Sequence, residues 1–374
     1  MITIVFFGIE LGDNKILGPN VVFHSILKNI NPHSDFRYVF VVKKNSKDFE
    51  NFKDYIDFWE IKYGSYLELF IEVNKIKDWI LRKNGGVVKL LYPKPFFLPL
   101  NIEQYAFLYD LPFEKLYQGK TLDSLKKEFL FKSLFWRKLK KIFTISYSSF
   151  QDINRVLMLN NLDWLYLGVD TNIFRPIPEN DKRRALFSIF SKMGIDFVDK
   201  YFFAPLGKIW YRKNALNLIL SFKNFCKYVS DKVYLIITAN NLDSNDKYVR
   251  SVLENSDDRV VFLDNVSNDE LVALYNGCLG VILPSFYEGF GLPLLEALAC
   301  KKNILFSNIK VFNEIYPGNI YTFDPLSVED ITKCMLKFYN EKDYLKSDRI
   351  LQEDIVKKFS WKEMVDNLLK KMKE

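Results

Sequence analysis

Apolar runs of about strand length recur along the first half of the chain: TIVFFGI (3–9), RYVFVV (37–42), GVVKLLY (86–92), YAFLYDL (105–111), KIFTISY (141–147) and DWLYLG (163–168). Between them lie longer stretches with amphipathic spacing, among them 66–83 and 122–140. Strand alternating with helix predicts a parallel, doubly wound α/β sheet. The rhythm breaks at GVDTNIFRPIPENDK (168–182), where two prolines and a glycine interrupt any apolar period and the chain reads as a linker. It restarts with YFFAPLG (201–207), KVYLIIT (232–238), RVVFL (259–263), GVILPS (280–285), NILFSN (303–308) and NIYTF (319–323), a second Rossmann-like set. The expected division is an N-terminal domain over 1–168, a linker over 169–182, a second domain over 183–358 and a closing helix over 359–374, free to pack back on the first domain. Two such domains in tandem leave a cleft faced by the carboxyl ends of their strands, and a ligand is expected there.

Two predicted helices start with an N-cap serine followed three residues later by a glutamate, Ser267 with Glu270 and Ser360 with Glu363. In such a box each side chain serves the other residue's backbone N–H, so these acids read as structural. With 49% apolar and 26% charged residues the 374-residue chain has globular composition, which excludes a disordered protein. Its 34 Phe, set among much Lys, Asn and Ile, read as compositional bias before they read as a ligand-lined cleft. A net charge of +7 favours anionic partners such as nucleotides or anionic lipid. Nucleic acid drops out for want of a helix-turn-helix, zinc or RNP-type signature. Cys226, Cys278, Cys300 and Cys334 are too widely spaced to suggest a disulfide framework or a zinc motif. The start, MITIVFFGIELGDNK, lacks a basic n-region and its apolar run is too short for a signal or a membrane span. The expectation is a cytoplasmic protein that holds no metal.

The stretch richest in chemistry is PSFYEGFGLPLLEALAC (284–300). A strand enters a turn in which Gly289 and Gly291 permit positive φ and close backbone approach, and a helix follows near Pro293. Several N–H groups and a helix N-terminus can then converge on an anion. Glu288 precedes the turn and Glu296 lies about one turn into the helix, too far apart to share a proton. Each suits a pair of vicinal hydroxyls, as a ribose or hexose offers. Taken alone, the motif is also compatible with a simple tight turn whose acids are favoured by the helix dipole.

Several ordered motifs weigh against that simpler reading. PSFYEGFGLPLLEALAC resembles the E-x7-E signature of the retaining glycosyltransferases of family 4, which have the GT-B fold of two facing Rossmann-like domains. RVVFLDNVSNDELVALYNGCLGVILPS, APLGKIWYRKNALNLILSF, TISYSSFQDI, GVDTNIFRP and KFSWKE resemble further segments of the same family. The likeness is strong over most of the C-terminal half and weaker in the N-terminal half. It implies that Lys208 and Lys213 bind a donor diphosphate, with Lys208 standing where the family often has arginine. It implies that Glu288 contacts hydroxyls of the donor sugar and that the backbone of Gly289, Phe290, Gly291 and Leu292 meets sugar and phosphate. Glu296 would hold the ribose. In YAFLYDLP, Tyr109 and Asp110 stand where the family often has a His-Asp pair. Asp110 joins Glu288, Lys208 and Lys213 as the catalytic set, while Tyr109 could donate a hydrogen bond to the donor sugar. Gly18, in ELGDNKILGPN, matches an N-terminal glycine loop that faces diphosphate and acceptor. His24 and His33 fall in no motif.

The resemblance implies a metal-independent hexosyltransferase that moves a sugar, with retention, from a nucleotide diphosphate sugar of UDP or GDP type to a glycan or lipid-linked acceptor. It fits the synthesis of a glycan, cell-envelope polysaccharide or glycolipid. The donor is a substrate, and no separate cofactor is expected. A sugar-nucleotide epimerase of the same fold and a non-catalytic sugar-nucleotide-binding protein are the alternatives; a phosphorylase lacks its pyridoxal lysine motif here. LKKEFLFKSLFWRKLKKIF (125–143) interleaves cations with Phe129, Phe131, Phe135 and Trp136. It reads either as an interfacial helix for peripheral contact with an anionic membrane or as a helix packed on the N-terminal sheet, the second favoured by its place before a core strand.

Overall fold

A computed structural model of the chain describes residues 2–7, 19–31, 36–43, 56–61, 66–84, 86–112, 121–192, 194–242, 245–341 and 349–374. The chain divides into two compact units, Met1–Leu167 with Trp361–Glu374, and Gly168–Ser360. Gly18 and His33 lie outside the described residues.

The first unit runs β1 (Ile2–Phe7), α1 (Pro19–Asn29), β2 (Phe36–Lys43), β3 (Asp57–Ile61), α2 (Tyr66–Asn84), β4 (Val87–Tyr92), β5 (Glu103–Phe107), α3 (Leu122–Trp136), β6 (Lys141–Thr144), α4 (Tyr147–Leu157) and β7 (Leu162–Trp164). Its sheet has the order β3-β2-β1-β4-β5-β6-β7, with every pair parallel. The strand order reverses between β1 and β4. All the strands expected from the apolar runs are present. β3 was not among them, because DFWEI lies at the sheet edge and is only partly buried, so it carries no continuous apolar run. Arg37 on β2 fixes that edge through Asp57, with Nη2 2.5 Å from Oδ2. Several of the phenylalanines pack in this core: Phe6 stacks on Phe40 at 4.5 Å, and Phe23 meets Phe107 edge-on at 6.0 Å.

The second unit runs α5 (Glu179–Lys192), β8 (Tyr201–Gly207), a single 3-10 turn (Tyr211–Lys213), α6 (Ala215–Phe225), β9 (Tyr234–Ala239), α7 (Lys247–Glu254), β10 (Val260–Leu263), α8 (Asn268–Gly277), β11 (Gly280–Leu283), α9 (Leu292–Ala299), β12 (Ile304–Ser307), α10 (Lys310–Ile315), β13 (Thr322–Phe323), α11 (Val328–Asn340) and α12 (Arg349–Lys358). The six expected strands form one parallel sheet of order β10-β9-β8-β11-β12-β13. The pleat of β8 divides its side chains between two layers. Phe202 meets Phe225 of α6 at 5.4 Å, whereas Phe203 meets Tyr275 of α8 at 5.1 Å. Residues 179–182, expected in the linker, form the first turn of α5 just after Pro178, where Glu179 and Asp181 suit the helix dipole. The box at the start of α8 forms as expected, Glu270 N–H donating to Ser267 Oγ and Ser267 N–H to Glu270 Oε2.

The closing helix α13 (Trp361–Lys373) belongs to the first unit and lies against α1. The buried amine of Lys89 on β4 donates to Met372 O at 2.5 Å, capping the carboxyl end of α13, and pairs with Glu103 at 2.8 Å. No helix among the described residues is long and apolar enough to cross a membrane.

Candidate functional site

In the second unit the strand order reverses between β8 and β11, so the loops at their carboxyl ends diverge around one point. Such a switch point is where open parallel sheets bind ligands. Gly207 ends β8 with φ +69°, and the chain turns into Lys208–Trp210 and the 3-10 turn. Asn214 follows in the left-handed region at φ 55°, which asparagine tolerates better than most residues. Its buried side-chain amide donates to Pro284 O at 2.9 Å and Pro325 O at 2.8 Å. Phe286 N–H donates to Arg212 O at 2.8 Å. The loop after β8 and the loop after β11 are thereby stitched into one surface.

Glu288 is buried on that surface. Lys213 Nζ donates to its Oε1 at 2.6 Å, Ser285 Oγ to the same oxygen at 2.7 Å, and Arg212 Nη1 to Oε2 at 2.8 Å. Burial alone would raise the carboxyl pKa, but Lys213, Arg212 and the serine outweigh it and hold the group down at about 2. Glu288 is therefore a fixed anion. Of the roughly four acceptor positions on a carboxylate, three are taken by donors among the described residues, which leaves one on Oε2. One carboxylate between two cations leaves a net positive charge, and Lys208 adds to it. Lys208 Nζ and the Arg212 guanidinium each lie 5.4 Å from the centre of the Trp210 ring, so a half-exposed indole holds the two cations together.

The loop continues into α9, whose N-cap is Gly291 at φ +101°. A Cβ there would come within 2.6 Å of Phe312 Cε1, so both conformation and space require glycine. Gly289, expected to share this freedom, is not among the glycines with positive φ. The Phe290 side chain is buried and meets Phe359 at 5.9 Å, which leaves its backbone, rather than its ring, for any ligand. Glu296 accepts a hydrogen bond from the buried Tyr275 hydroxyl at 2.7 Å. Burial pushes its carboxyl up to about 7, against the pull of Tyr275 and the Lys213 charge. The two glutamates thus titrate far apart, with Lys213 acting on both.

Lys208, Lys213, Glu288, Glu296 and the Gly289–Leu292 loop come together in this unit. Tyr109 and Asp110 stand in the other unit, just beyond the carboxyl end of β5. The Tyr109 ring stacks on Phe107 at 5.8 Å, and its buried hydroxyl meets no hydrogen-bond partner among the described residues. Burial raises its pKa, so Tyr109 is no proton shuttle at neutral pH. Asp110 is exposed. Arg212, Asn214, Ser285 and Tyr275 were not singled out from the sequence. The adjacent Arg-Lys-Asn triplet was a usable signal for the first two and the Ser-x-x-Glu spacing for Ser285, whereas Tyr275 reaches Glu296 only through the fold. Among the described residues no three His, Cys, Asp or Glu side chains gather as a metal set would require.

The architecture matches a glycosyltransferase from Rickettsia africae ESF-5 over 98% of this chain and 97% of that one, with TM-score 0.74 and 16% identity. The chain has the GT-B fold. Anabaena Alr3699/HepE, solved in complex with UDP and glucose, shares it at TM-score 0.70 and 14% identity over 99% of both chains. Within the GT-B chain, residues 193–358 match the family model described as glycosyl transferases group 1. Every residue of the site in the second unit falls inside that segment. The serotype-specific mannosyltransferase WbdA of Escherichia coli is 38% identical over 109 residues, 28% of this chain and 13% of that protein. The O-antigen chain mannosyltransferase RfbU of Salmonella typhimurium LT2 is 31% identical over 152 residues, 39% of this chain and 41% of that protein. The chain thus spans less than half the length of these relatives.

Proposed function

We propose that the protein is a retaining, metal-independent glycosyltransferase that moves a hexose from a UDP- or GDP-linked donor to a hydroxyl of a glycan or lipid-linked acceptor in surface-polysaccharide synthesis. The observation that carries this reading is the Arg212–Lys213–Glu288 cluster beside the glycine loop of α9, within the segment similar to group 1 glycosyl transferases. Lys208, Arg212 and Lys213 offset the negative charge that a leaving diphosphate develops, preorganised by a carboxylate that does not titrate near neutral pH. Glu288 is foremost the anchor of that cationic pair. Its remaining acceptor position on Oε2 takes a hydroxyl of the donor sugar. The backbone of Gly289–Leu292 meets sugar and phosphate, and Glu296 takes the ribose.

Neither glutamate serves as a nucleophile: three donors quench Glu288, and Tyr275 engages Glu296. The acceptor oxygen instead attacks the anomeric carbon on the face from which the diphosphate leaves, and a diphosphate oxygen takes its proton. The protein contributes orientation and electrostatics. Tyr109, with its unmatched hydroxyl, is assigned to the donor sugar, and Asp110 to the catalytic set on the acceptor side. The mannosyltransferase and O-antigen names of two relatives, and the UDP and glucose in complex with HepE, support the choice of donor and pathway class.

The test is incubation with a panel of UDP- and GDP-linked hexoses, with and without glycan acceptors, followed by proton NMR. Slow donor hydrolysis without acceptor and an acceptor product that keeps the donor's anomeric configuration are expected, both lost in Glu288→Ala and Lys213→Ala. Isomerised donor without acceptor would identify an epimerase instead, and unchanged turnover in the two variants would refute the site.

A further inference from the structure

Helix α3 is apolar on two sides. Its inner side buries Leu125, Ser133 and Trp136. Its outer side leaves Leu130, Phe131, Leu134 and Phe135 exposed at 62%, 71%, 53% and 44%. At helical spacing these four positions cluster on the side opposite Leu125 and Trp136. The Phe131 and Phe135 rings meet edge-on at 5.3 Å, which makes them one ridge. A helix packed on a sheet ordinarily turns polar residues outward there, so four large apolar side chains in water need a partner.

We propose that this face docks the protein on an anionic lipid surface. Charge decides the occupant. Lys126, Lys127, Arg137 and Lys138 are exposed on or beside that outer side or just beyond α3, and among the described residues only Lys126 of these faces a carboxylate, Asp123 at 3.8 Å. A second copy meeting this face about a two-fold axis would set the four cations against four of the same sign. Anionic headgroups neutralise them, while the four apolar side chains enter the boundary with the acyl chains. Trp136, which in the sequence looked like part of an interfacial face, is buried and belongs to the protein core instead. The inference goes beyond the donor site and does not depend on it, since every residue involved lies in the first unit.

The test is co-sedimentation of the full chain with vesicles of phosphatidylcholine alone or mixed with phosphatidylglycerol. Binding to the mixed vesicles should exceed binding to neutral ones by at least about tenfold at low salt. Phe131→Ser/Phe135→Ser and Lys127→Glu/Lys138→Glu should each weaken it by about tenfold or more while leaving the circular-dichroism melt in place, because the altered side chains are exposed. No binding to either vesicle, equal binding to both, or variants that bind as the parent does would overturn the proposal. So would a dimer in gel filtration that Phe131→Ser/Phe135→Ser dissociates, because the face would then belong to a second copy.

Discussion

Replacing Glu288 by Gln keeps the shape of the side chain and removes the charge that holds Arg212 and Lys213. The native carboxyl sits at about 2 against an ordinary 4.5, which means that its surroundings favour the ionised form despite burial. At 1.36 kcal/mol per pH unit, the Glu288 charge contributes about 3 kcal/mol to the second unit at neutral pH. Because the folded pKa lies below the unfolded one, this stability is complete above about pH 4.5 and is lost as pH falls toward 2. Urea unfolding, with native-state hydrogen exchange in peptides covering β8 and β11, resolves the second unit from the first. Glu288→Gln should lower its stability by about 3 kcal/mol at pH 7, and the gap to the parent should narrow on acidification. A gap under about 1 kcal/mol at pH 7, or one that widens toward pH 3, would refute the argument.

Glu296 carries the opposite sign. With its folded pKa raised from 4.5 to about 7, it penalises the folded state fully above pH 7 and not at all below 4.5. Glu296→Gln should therefore be more stable than the parent by up to about 3 kcal/mol at pH 8, with no difference at pH 4, in the same unfolding assay. Donor affinity of the parent should weaken as pH falls below about 7, while that of Glu296→Gln stays low and flat, as read by titration calorimetry across pH. Gly291→Ala combines a left-handed conformation with a Cβ 2.6 Å from Phe312 and should cost about 2 kcal/mol or more in thermal unfolding; a neutral substitution would mean that the turn is not held as described.

The sheets were legible because parallel strands covered on both faces must be apolar along their whole length, and all the described strands except β3 carry such runs. β3 escaped because an edge strand is only partly covered, and Asp57 and Glu60 leave DFWEI without a continuous apolar run. The start of α5 was hidden because Glu179, Asn180, Asp181 and Lys182 are all polar; their helicity comes from Pro178 and dipole complementarity rather than from an apolar stripe. At the site, the glycine loop and the two glutamates were visible as a local motif. That Glu288 is locked by Arg212, and that Glu296 answers to Tyr275, depends on loops and helices apart in the chain meeting at the strand-order reversal. Local spacing carries no trace of those partnerships. The outward apolar side of α3 was ambiguous for a related reason: its sequence has enough apolar positions for two faces, and only burial distinguishes them.

Everything proposed for the second unit rests on Lys208, Arg212 and Lys213 forming a diphosphate site built on Glu288. Calorimetric titration with UDP, UMP, GDP and GMP is the decisive experiment. One of the two diphosphates should bind the parent at least about tenfold more tightly than its monophosphate, and Lys213→Ala should abolish that advantage. Equal affinity for diphosphate and monophosphate, or a Lys213→Ala protein that still prefers the diphosphate, would overturn the assignment.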